Sequence, residues 1–173
     1  CHNDIDMLVV GMHGGSNNEY IGKIGGCTDE EYRTHFSLWA MMDSPLMIGC
    51  DIRSMSEVTK ETLTNPEVIA INQDIECRGP YVISHVDNTV FTLVKPLSEG
   101  ELAIGLFNLR TTCTGNRCPA PRLMRSLLDA AGLGLEMRNC WTHENEGVFT
   151  ERYAGQLEPH GCRIFRAKLV KVR

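Results

Sequence analysis

Near Arg78-Gly79-Pro80 the spacing of apolar residues changes, from short runs mixed with helical repeats to strict alternation. A single regular architecture cannot satisfy both patterns, so the chain is expected to divide there, into residues 1–76 and 77–173. In the first part DMLVV (6–10) and PLMIGC (45–50) are continuous apolar runs, each with an acid beside it, and they read as buried strands. Between them lies GMHGGSNNEYIGKIGG, a loop too rich in Gly and Asn for a regular element. Thr28 and Glu31 have capping-box spacing, acids at 29–31 suit a helix N-terminus, and Tyr32, Phe36, Trp39 and Met42 recur at helical intervals. Ser54 to Glu57 repeats the capping-box spacing, and Asn65-Pro66 places a cap ahead of a first-turn proline. Strand, helix, strand, helix is an α/β order with parallel strands and crossover helices.

In the second part YVISHV, TVFTLVKPL, ELAIGLFNL, LEMRNCW and CRIFRAKLVKV read as strands, punctuated by Asp87-Asn88, Glu99-Gly100 and His160-Gly161. An antiparallel β-sandwich is the expected packing. Residues 122–134, RLMRSLLDAAGLG, fit either a short strand or one helical turn before Gly132.

Composition narrows the function classes. With 42% hydrophobic and 23% charged residues the chain has material for a core. No apolar run reaches the ~18 residues of a membrane-spanning helix, and a net charge of -5 offers nucleic acid no basic footprint. Cys1 has neither an initiator Met nor a signal-like segment ahead of it, so the start reads as an internal cut. That leaves the compartment open between cytoplasmic and secreted. The eight cysteines are too dispersed for a small disulfide scaffold and read mainly as buried thiols. Cys113 and Cys118 flank a turn-like TGNR and fit a short disulfide or two free thiols equally well.

Candidate chemistry is sparse. Asp6 and Asp51 are expected at the carboxyl ends of the two buried strands, the edge where barrels and open α/β sheets gather functional groups. As a carboxylate pair they could serve acid/base work; as loop caps they need do nothing more. The histidines show no metal-ligand spacing, and His35 reads as a core or edge histidine bonded to a neighbouring strand. The glycine-rich loop matches neither phosphate-binding spacing, and no serine has a nucleophile-elbow context. No metal or organic cofactor is implied.

Longer motifs are more specific. HNDIDMLVVG, TDEEYRTHFSLWAMMDSPLMIGCDIRSM and LTNPEVIAINQD resemble, in order, the stretch of glycoside hydrolase family 27 α-galactosidases from the seventh barrel strand to the end of the barrel. EMRNCWTHENEGVFTERYAGQLEPHGCRIFRAKL is similar to that family's C-terminal antiparallel domain. The resemblance implies the last two βα units of a (β/α)8 barrel followed by the β-sandwich. It implies that Asp6 and Met7 line the galactose pocket, the acid as hydrogen-bond acceptor and the methionine as an apolar wall. His2 stands where the family has Trp and Ile5 where it has Pro, changes that bear on the turn ahead of Asp6. It also implies that the nucleophile and the acid/base lie upstream, so no catalytic residue is expected in this chain. The partners implied are an α-galactoside and the upstream barrel, with a homo-oligomer left open. The alternatives are a hexosaminidase or pentopyranosidase of the same fold, or a non-catalytic carbohydrate-binding sandwich.

Overall fold

The structure is a computed structural model, and it describes residues 2–14, 25–87, 89–111, 132–151, 153 and 155–172. The ambiguous segment 122–134 falls outside these up to residue 131, as do Cys1, Cys113, Cys118 and most of the glycine-rich loop.

Three α-helices form among the described residues of the first part. α1 (Asp29–Met41) starts where the capping box requires: Thr28 Oγ1 accepts from the Glu31 N–H at 3.3 Å, and the Glu31 carboxylate accepts from the Thr28 N–H at 2.7 Å. Its buried face runs through Tyr32, Phe36 and Ala40, one turn apart. α2 (Glu57–Leu63) is capped by Ser56, which accepts from the Thr59 N–H, and not by Ser54 as its spacing suggested. The next serine along is the one with the extended backbone an N-cap needs. α3 (Pro66–Asn72) follows Asn65, whose side-chain oxygen accepts from Glu67 and Val68, with proline in the first turn.

The two apolar runs expected as strands reduce to a single parallel bridge, Leu8 to Ile48. The Leu8 N–H donates to Met47 O at 2.8 Å and the Gly49 N–H to Leu8 O at 3.1 Å. Each run has only the other as a neighbour among the described residues, and two strands alone do not sustain a ladder. Leu8 and Val10 are buried against the helices, while Met7, Val9, Met47 and Ile48 are exposed.

The second part holds β1 (Tyr81–Val86), β2 (Val90–Pro96), β3 (Leu102–Asn108), β4 (Leu133–Asn139), β5 (Glu144–Phe149) and β6 (Cys162–Lys171). All six join one antiparallel sheet in the order β1-β2-β3-β6-β4-β5. The expected turns form at Asp87, Glu99-Gly100 and His160, all in left-handed backbone. Sequence reading did not find β5. ENEGVF is polar and lies at the sheet edge, where charged side chains are suited to solvent and leave no alternation to detect.

Alternation in the strands divides the apolar residues between two faces. Leu93, Ala103, Phe107, Cys162 and Ile164 pack on the helices with Leu8, Tyr32, Phe36 and Ile71. Val94, Ile104, Leu106, Leu135, Met137, Phe165 and Ala167 form the other face with Tyr153 and Leu157. Polar bonds also cross from helices to sheet. Thr34 donates to His160 O at 2.7 Å, Asn65 to Cys140 O at 2.9 Å, and the Trp141 indole to Ser37 Oγ at 3.0 Å. Arg138 meets Glu67 through two guanidinium nitrogens, at 2.7 and 3.0 Å.

The deepest of these ties is an ion pair. Lys95, on the helix-facing side of β2, and Asp43, just after α1, both have fully buried side chains and are in direct contact. The ammonium also donates to Ile71 O at 2.7 Å and Ala40 O at 3.3 Å. Those carbonyls belong to the last turns of α3 and α1, where no intrahelical donor remains for them, so one lysine from the sheet caps two helices.

Candidate functional site

The candidate site is the segment from Asp6 to Val9, with the 47–51 segment beside it and α1 behind. Asp6 takes a left-handed backbone, φ 71°, a conformation that aspartate tolerates better than most residues other than glycine. The Asp6 N–H donates to Asp4 Oδ1 at 3.1 Å, and Asp6 Oδ1 accepts from the Met7 N–H at 2.8 Å. Its carbonyl accepts from the Trp39 indole at 3.1 Å. Three residues on, the Val9 N–H donates to His35 Nε2, also at 3.1 Å.

His35 and Trp39 lie one turn apart on α1 with ring centroids 3.8 Å apart. Because a backbone N–H points at Nε2, that nitrogen carries the lone pair and the proton sits on Nδ1. Burial pushes the imidazole down to about 4, so the ring stays neutral and the acceptor persists at neutral pH. His35 is expected as a core or edge histidine bonded to a neighbouring strand; its partner is Val9, next to the bridged Leu8 in a run that forms no regular strand.

Met7 is 44% exposed and its methyl lies near Gly49 together with the Met12 sulfur. A Cβ on Gly49 would come within 2.7 Å of Leu8 O, so glycine is what allows the two segments to approach here. Asp6 and Met7 are neighbours in this segment, a carboxylate able to accept hydrogen bonds next to an exposed thioether. Neither supplies a nucleophile set against an acid.

Asp51 does not join them. Its carboxylate is bound by its own loop, taking the Arg53 guanidinium at 2.7 and 2.9 Å and the Arg53 N–H at 3.0 Å. The Arg53 side chain first, and its backbone N–H second, hold Asp51 below the ordinary carboxylate range. Asp51 thus caps a turn. The expected strand ends need correction as well. Asp51 follows the bridged Ile48, but Asp6 precedes the bridged Leu8 and so opens its run instead of closing it. In a parallel pair the two acids then fall on opposite sides of the bridge. Among the described residues no group of three or more His, Cys, Asp or Glu is arranged to hold a metal ion.

Of the two residues that hold the site, the sequence pattern points to His35 as a bonded histidine and gives no such role to Trp39. Helical spacing places Trp39 on the inward face of α1, and the side chain packs half-buried against the core while its indole N–H reaches the site segment. A donor-bearing aromatic four residues after a histidine was the available signal.

Comparisons with known proteins agree with this architecture over both parts. Residues 1–74 match the family model described as alpha galactosidase A, and residues 87–167 match the alpha galactosidase C-terminal beta sandwich domain. The α-galactosidase of Cyamopsis tetragonoloba is 34% identical over 164 residues, which is 94% of this chain and 36% of that protein. Alpha-galactosidase 2 of Arabidopsis thaliana is 37% identical, again over 94% of this chain and 37% of its own length. The crystal structure of α-galactosidase I from Mortierella vinacea superposes with a TM-score of 0.79 at 26% identity, covering 99% of this chain and 40% of that one. The chain thus spans little more than a third of the length of the curated relatives it matches. Two models matched in tandem, in the order in which the structure presents the helices and the sheet, show that the chain belongs to the α-galactosidases of glycoside hydrolase family 27 and corresponds to their C-terminal part.

Proposed function

We propose that this chain is the closing portion of a retaining α-galactosidase that removes terminal α-linked galactose from oligosaccharides or galactomannan. Residues 1–76 supply the last two βα units of the barrel and residues 77–173 the β-sandwich. Asp6 accepts hydrogen bonds from the sugar hydroxyls and Met7 provides an apolar wall. The tandem match of both parts to α-galactosidase models carries the reading. Retaining cleavage needs two carboxyl groups about 5 Å apart, one attacking the anomeric carbon and one protonating the leaving oxygen before activating water. These belong to the upstream barrel, whose strands would also cover the exposed Met7, Val9, Met47 and Ile48.

The test compares the 173-residue chain, verified by mass spectrometry to be free of longer species, with the full-length protein on a chromogenic α-galactoside. Turnover is expected only from the full-length protein, and Asp6→Ala there should lower kcat/KM by about 100-fold with little loss of stability. Turnover by the 173-residue chain alone would overturn the placement of both catalytic carboxylates. Unchanged kinetics in Asp6→Ala would remove Asp6 from the sugar site.

A further inference from the structure

We infer that His35 and Trp39 are positioning residues that pin the Asp6–Val9 segment at both ends and so set where the Asp6 carboxylate and Met7 stand; the inference rests on the reading of those two as sugar-binding groups.

The two side chains offer opposite chemistry from one helix face. An indole can only donate, and His35 with its proton on Nδ1 can only accept at Nε2. The segment presents the complementary groups at the matching spacing: a carbonyl at Asp6 and an N–H at Val9, each 3.1 Å from its partner. Between them Leu8 is fully buried and bonded to the neighbouring segment, so the chain cannot slide between its two anchors. The Trp39 bond is made to the carbonyl of Asp6, the residue of the segment in left-handed conformation, φ 71°. The helix supplying both anchors is itself fixed, at its start by the Thr28–Glu31 box and at its end by Lys95. Neither His35 nor Trp39 needs to touch substrate. Both act through the backbone of the segment that does.

The experiment uses the full-length protein with Trp39→Phe, His35→Ala and His35→Gln. Trp39→Phe keeps a ring against His35 and loses only the donor, and is expected to raise KM about tenfold with kcat less affected. His35→Ala should do the same, while His35→Gln, whose amide oxygen can accept from Val9, should recover most of the loss. In an Asp6→Ala background Trp39→Phe should change KM less than it does alone, because part of its effect passes through the Asp6 carboxylate and only the part through Met7 remains. An undiminished effect in that background would overturn the positioning role. Amide exchange gives a readout independent of activity: Val9 protection should fall about tenfold or more in His35→Ala and return in His35→Gln. Retained Val9 protection in His35→Ala, or in Trp39→Phe/His35→Leu should His35→Ala fail to fold, would overturn the clamp whatever the protein hydrolyses. A full-length protein inactive on α-galactosides but with the expected exchange pattern would refute the proposed function and leave the clamp standing.

Discussion

Replacing Lys95 by methionine tests how the two parts of this protein are held together. Methionine keeps most of the aliphatic stem, so packing changes little and the lost term is the ammonium. Three acceptors then lose their donor: the Asp43 carboxylate, Ile71 O and Ala40 O. None is replaced by water easily, because both side chains of the pair are fully buried, and Asp43 Oδ2 finds no partner among the described residues even with lysine present. Breaking a buried pair on one side leaves an uncompensated charge, which costs about 3–5 kcal/mol. With a urea dependence of about 2 kcal/mol/M, the unfolding midpoint should fall by about 2 M. Lys95→Met/Asp43→Asn removes the stranded charge, and asparagine tolerates the left-handed backbone that Asp43 adopts, φ 56°. The double variant should therefore be more stable than Lys95→Met alone by about 1–3 kcal/mol. The measurement is equilibrium urea unfolding followed by far-UV circular dichroism for the four corners of the cycle. A Lys95→Met loss below about 1 kcal/mol, the range of an exposed pair, or additive losses in the double variant, would refute the argument that this pair locks helices to sheet.

Two further outcomes follow from titration and burial. His35 has a folded-state pKa near 4 against an ordinary 6.5, so between those values the unfolded chain takes up a proton that the folded one refuses. Stability should therefore fall as pH drops through that window and be independent of this group above it. The contribution is at most about 3 kcal/mol, and less because the ring is partly exposed to solvent; a thermal midpoint whose acid slope is unchanged by His35→Gln would contradict it. Burial raises the Cys140 thiol to about 12 and the Cys162 thiol to about 11, whereas Cys27 is exposed. Iodoacetamide under native conditions should accordingly label Cys27 and spare Cys140 and Cys162 until urea is added, and early mass-spectrometric labelling of Cys162 would show that the packing of α1 on β6 is looser than described.

Much of this protein was legible in the order of its residues, because the signals involved are local. The Thr28–Glu31 box, Asn65-Pro66 and the turns at Asp87, Glu99 and His160 each depend on groups within four residues of one another. The alternation in TVFTLV and RIFRAKLV depends only on the pleat, so β2 and β6 could be found without their neighbours. Long ordered motifs did the same for the family. What tertiary structure decided was every feature whose partner lies far along the chain. A lone acid in MMDSPLM and a lone lysine in TLVKPL gave no sign of each other across 52 residues, yet they form the buried pair between helices and sheet. The apolar runs 6–10 and 45–50 could not reveal that they meet at one bridge, nor that Asp6 lies ahead of it, because strand pairing is set by the neighbour and not by the run. Likewise β5, polar and at the edge, exists because β4 offers it a ladder. And 33 residues separate the Trp39 indole from the carbonyl it holds, a contact that exists only once the helix packs behind the segment.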